Sequence, residues 1–195
     1  MPCSTAEQVE ELCEGLASPQ ARTKYGSAKQ LVRLSEGDPG LLYPRFDFFT
    51  HLMEGDNRIF RWNASRIVGH LASVDSEGRV DQMLDRILAP ITGHEMIGAG
   101  NAMQGAADIA LAKPYLADRI AREIVKVRNA RYATPECRNI AAGHAIQALD
   151  RFFEHVQKKK PGLAFVESEL QNPRPATRKK AGKFLAKWNR STIKP

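Results

Sequence analysis

Three cysteines in 195 residues, Cys3, Cys13 and Cys137, form no C-x-x-C pair. An odd count without ligand spacing argues against both a disulfide framework and a closed zinc site. The five histidines, His51, His70, His94, His144 and His155, are scattered without a paired motif, so no metal is expected. No apolar run approaches the roughly 18 to 20 residues that a membrane-spanning helix needs, and no membrane partner is expected. The first residues, Met1 to Glu7, have neither a basic flank nor an apolar stretch, so the expectation is a cytoplasmic protein. Aromatic residues are scarce at 7%, but 43% hydrophobic and 26% charged residues make a globular profile. Collagen-like, low-complexity and wholly disordered chains are excluded by that balance.

Strand alternation and β-branched runs are also missing, whereas helical periodicity is frequent. Val80, Met83, Leu84, Ile87, Leu88 and Ile91 follow the spacing of one helix face. Leu116, Ile120, Ile124 and Val127 repeat that pattern, as do Val9, Leu12, Cys13 and Leu16. Prolines at 19, 39, 90, 114, 135, 161, 173 and 175 fall near the ends of these segments, where a missing N–H does least harm. The class is all-α, cut into short helices.

A period emerges when one alanine per segment is placed in register: Ala28, Ala64, Ala102, Ala142 and Ala181. Three residues later stand Leu31, Ile67, Gly105, Ala145 and Phe184, and four later Val32, Val68, Ala106, Ile146 and Leu185. These offsets define a buried stripe whose smallest residue marks the closest approach of two helices. The period near 38 residues predicts about five helical hairpins, over approximately 5 to 36, 39 to 74, 77 to 112, 114 to 154 and 161 to 190. Gln157 to Gly162 reads as a loop, because Pro161-Gly162 breaks a helix.

Asp56 to Leu71, with an apolar-Arg pair before the alanine and a glycine near its end, resembles the second helix of a HEAT repeat. Thr177 to Leu185 resembles the same helix. The resemblance implies an α-α superhelix, a short solenoid over residues 1 to 190; residues 191 to 195, at the chain end, are expected to form a disordered tail. In that family an arginine ties neighbouring repeats together, and Arg61 and Arg178 occupy its position here. Tyr25, Ala99 and Asn139 stand there in the other copies, which depart from the pattern.

Charge is unevenly spread within a formal total of +7. Residues 1 to 97 carry 10 basic against 14 acidic side chains, and residues 98 to 195 carry 19 against 8. After residue 157 there are 11 basic residues and only Glu167 and Glu169 to balance them. Such a field attracts an acidic protein or a polyanion; equally, a charged face keeps a protein in solution.

Catalytic signatures fail one by one. In Gly98 to Gly105 the third glycine of G-x-G-x-x-G is replaced by Met103 and no strand precedes it, so these glycines are read as helix-packing positions and no cofactor is expected. No G-x-S-x-G elbow or H-E-x-x-H motif occurs. What remains is a column two residues after each aligned alanine that is polar in every copy: Gln30, Arg66, Gln104, His144 and Lys183. Stacked repeats line a concave surface with such positions. Candidate partner-binding residues are therefore Arg58, Trp62, Arg66, His144, Arg178, Lys179 and Lys183, with the ordinary solvated face of an amphipathic helix as the plain alternative. Trp62 is either a binding anchor or packed against an adjacent repeat. Two functions follow: a non-catalytic scaffold binding another protein, or nucleic-acid binding through the basic C-terminal half. The second includes a glycosylase resembling HEAT-like alkylpurine DNA glycosylases, although no catalytic residue set can be matched to one.

Overall fold

The computed structural model describes residues 5–188, and every regular element among them is helical. The α-helices are α1 (Ala6–Gly15), α2 (Ala21–Gly37), α3 (Pro39–Leu42), α4 (Phe46–Leu52), α5 (Arg58–Leu71) and α6 (Arg79–Leu88). They continue as α7 (Met96–Ala112), α8 (Ala117–Ile124), α9 (Pro135–Phe152), α10 (Lys159–Ser168) and α11 (Pro175–Trp188). Paired in order, with α3 and α4 together forming one first helix, they follow the expected succession of hairpins. The tail expected at 191 to 195 lies outside the described residues. The chain divides into two compact units, Met1–Leu84 and Asp85–Pro195, the boundary falling inside α6.

Local chemistry explains where the helices start. Thr5 Oγ1 accepts from Gln8 N at the head of α1, and Thr134 Oγ1 accepts from Cys137 N at the head of α9. Asn57 Oδ1 accepts from Ile59 N and Phe60 N, capping α5. Each cap satisfies backbone donors that the first turn leaves without intrahelical partners. The buried Asp75 carboxylate does this for α6, accepting from Arg79 N and Val80 N while also accepting from the Tyr43 hydroxyl. Burial and this bond push the Tyr43 phenol up to about 12.

The aligned alanines are all buried, none more than 3% exposed. In the first unit α2 packs on α5, and in the second α7 packs on α9 and α9 on α11. Phe46 and Phe49 fill the core of the first unit, and Phe152, Phe153, Phe165 and Phe184 that of the second. The glycines of α7 also lie inside, with Gly98, Gly100 and Gly105 buried.

One boundary corrects the sequence reading. The segment taken as a loop at 157 to 162 is largely helical, because α10 begins at Lys159. Pro161 stands in its first turn, where no intrahelical N–H bond is lost. Gly162 is needed there, since a Cβ would come within 2.8 Å of the Phe153 ring. The remaining bend is held by Asp118 Oδ1, which accepts from Gln157 N and Lys158 N.

Candidate interaction surface

Ion pairs join successive hairpins throughout both units, and in each the acid precedes the base. Glu10–Arg45, Glu36–Arg66 and Asp47–Arg79 lie in the first unit. Asp85–Arg119, Asp108–Arg151, Glu136–Arg174 and Asp150–Lys187 lie in the second. The partners are 30 to 43 residues apart in sequence, about one repeat. Being largely exposed, each contributes little stability, on the order of 0 to 1 kcal/mol. Each also neutralises one cation where two hairpins meet.

Four lysines of α11 stand together in the second unit. A groove of about 510 Å³ runs between α9 and α11, lined by Ile146, Gln147 and Asp150 on one side and by Lys179, Lys180, Lys183 and Lys187 on the other. Lys187 Nζ donates to Asp150 Oδ1 at 2.9 Å, and the Trp188 indole donates to the same oxygen at 2.7 Å. Lys180 Nζ donates to the neutral Gln147 Oε1 at 2.8 Å. Lys179 and Lys183 have no hydrogen-bond or ion-pair partner among the described residues.

The site's geometry depends on small residues beneath it. Gly143 leaves room for α11 to approach: a Cβ there would meet Thr177 Oγ1 at 3.0 Å and Lys180 Nζ at 3.3 Å. Thr177 is fixed in place by donating to the Asn139 carbonyl at 2.8 Å. His144, the next residue, lies half-buried with its ring 3.5 Å from where a Gly100 Cβ would stand. Burial first, then the charges of Lys180 and Arg174, hold its imidazole below the ordinary histidine range. Burial and Arg174 likewise lower the Lys180 ammonium. Burial is the larger cause of both shifts, and the neighbouring cations add to it in the same direction.

The sequence-derived candidates fall into two groups, one in each unit. Arg58, Trp62 and Arg66 share a face of α5 at four-residue steps. Arg58 is exposed, while Arg66 Nη2 donates to Glu36 Oε1 at 2.7 Å. Trp62 is partly buried, and its indole N–H is buried without a hydrogen-bond partner. In the second unit Lys179 and Lys183 line the groove and His144 stands on α9, the helix that forms its other wall. Arg178 is turned to its own hairpin, donating from Nη1 to the carbonyls of Asn172 and Pro173. Lys180, Lys187, Gln147 and Asp150 were missed by the column at Lys183. The four-residue spacing of 179, 183 and 187 was the available signal.

Among the described residues no group of three His, Cys, Asp or Glu side chains could hold a metal ion, and no helix is long and apolar enough to cross a membrane. No family model matches the chain, and no curated protein matches it in sequence. Its fold is similar to the crystal structure of the MAST/Orbit N-terminal domain, at 16% identity, over all of this chain and 87% of that one, with a TM-score of 0.53. An engineered protein of solved structure is similar at 15% identity and a TM-score of 0.40, over 91% of this chain and 97% of that one. The first likeness establishes a helical-repeat fold.

Proposed function

We propose that the protein is a HEAT-like, non-catalytic scaffold that binds a protein partner through the polar faces of its second helices. The observation carrying this reading is a groove lined by four lysines, of which Lys187 alone is paired with an acid, Lys180 has only the neutral Gln147, and Lys179 and Lys183 have no partner among the described residues. Arg58, Trp62 and Arg66 provide a second contact face on α5, with Arg178 and His144 bordering the lysines. Positive charge kept at a surface without a counter-ion steers an anionic partner and fixes its register. The absence of a recognisable nucleophile and base in either unit's sequence supports binding over catalysis. Nucleic-acid binding is the competing reading, since phosphates attract the same cations.

The test is photo-crosslinking with benzoylphenylalanine placed in the full chain at position 183, with position 76 as the exposed control. Discrete protein adducts at 183 and none at 76 are expected. Nuclease-sensitive adducts at 183, or identical adducts at both positions, would overturn the reading.

A further inference from the structure

The lysines of α11 are spaced for a particular ligand backbone. Lys179 and Lys183 are four residues apart, so they are offset by about 6 Å along the helix axis at 1.5 Å per residue. In an extended chain, side chains two residues apart lie about 6.6 Å apart on one face. We propose that the groove between α9 and α11 seats an extended acidic segment of a partner protein, with carboxylates at alternate positions paired to Lys179 and Lys183.

This deepens the scaffold reading and rests on it. A helical ligand could also space two carboxylates by one turn; an extended strand differs from it in preferring acids at alternate positions over adjacent ones, which the two isomeric peptides below distinguish. Single-stranded nucleic acid finds no ring to stack on, because the one ring lining the groove, Phe184, is 2% exposed. Residues 189 to 195 of this chain contain Arg190 and Lys194 and no acid, so their charge opposes entry. Asp150 limits the acidic register: it already holds Lys187 and repels a third carboxylate at that end. The recognised pattern is thus two acids separated by one residue, with Lys180 beside them releasing Gln147 to either.

The full chain, labelled with ¹⁵N, is titrated by NMR with Gly-Glu-Ala-Glu-Gly, with its isomer Gly-Glu-Glu-Ala-Gly, and with a short oligothymidylate. Saturable shifts of α9 and α11 amides are expected, with at least threefold tighter binding of the alternating peptide. Lys183→Gln should weaken it three- to tenfold, Lys183→Arg should retain it, and Lys29→Gln on α2 should change nothing. Equal affinity for the two isomers, insensitivity to Lys183→Gln, or tighter binding of the oligonucleotide would overturn the proposal. If both peptides fail while crosslinking at position 183 still yields protein, the acidic segment is wrong and the scaffold reading survives.

Discussion

Arg61 and Arg178 make the same structural bond in two different hairpins. Nη1 of Arg61 donates to the carbonyls of Gly55 and Asp56, and Nη1 of Arg178 to those of Asn172 and Pro173. In both cases the acceptors lie six and five residues back, in the turn that leads into the arginine's own helix. Carbonyls at such a turn have no helical partner, and a charged donor satisfies two at once.

Replacing either arginine with alanine should therefore loosen its turn. Bonds to charged groups contribute about 1.5 to 3 kcal/mol when buried; solvent at these half-exposed and exposed sites reduces the expected loss to about 1 kcal/mol. Urea denaturation of Arg61→Ala and Arg178→Ala checks this, and Lys in place of Arg should restore less than half, because it lacks the planar donor geometry.

At Trp62 the polar and packing contributions oppose each other. Its buried indole N–H has no acceptor, and an unpaired buried donor costs roughly 1 to 3 kcal/mol. Trp62→Phe removes the donor and keeps most of the ring, so stability should change by less than about 1 kcal/mol and in either direction, since lost volume offsets the relief. Trp62→Ala should destabilise by several times more. Thermal unfolding of the two variants separates packing from polar contributions.

His144 sets a pH dependence. Its imidazole is held below the ordinary value of 6.5 by burial and then by Lys180 and Arg174. The unfolded chain therefore binds the proton first as pH falls, and the folded state loses stability below about pH 6.5 until the folded group also protonates. His144→Gln should flatten the stability curve between pH 7.5 and 5; an unchanged slope would remove His144 as its cause. An anionic ligand in the groove should oppose the same positive field, so acidic-peptide binding should strengthen over that pH fall.

Cys13 should be chemically quiet. Burial, followed by the Glu10 charge, pushes its thiol up to about 11, with Arg45 only partly offsetting them. Thiolate is the reactive form, so alkylation at pH 8 should be much slower than for a model thiol, as read by mass spectrometry of the Cys13 peptide. Rapid labelling of the folded protein at this site would contradict that assignment.

The helical hairpins were legible because close helix packing tolerates few residues. Ala28, Ala64, Ala102, Ala142 and Ala181 recur for that reason, and all five are buried. The start of α10 was not legible: Pro161-Gly162 looks like a breaker until Phe153, on the preceding hairpin, is seen to require the glycine. The lysine of the polar column at 183 lies on the helix that lines the groove. Its companions Lys180 and Lys187 did not emerge, because their acceptors, Gln147 and Asp150, are supplied by α9 through a register that sequence spacing does not reveal. Arg66 and Arg178 carry the expected chemistry but spend donors on Glu36 and on backbone carbonyls, respectively.

The most direct measurement is affinity capture by the full chain and by its Lys179→Glu/Lys183→Glu variant, with each eluate analysed for protein and for nucleic acid, before and after nuclease treatment. The account predicts a defined protein set held by the wild-type chain, lost with charge reversal at unchanged helical circular dichroism, and indifferent to nuclease. The same proteins on both chains, or their loss on nuclease treatment, would contradict it.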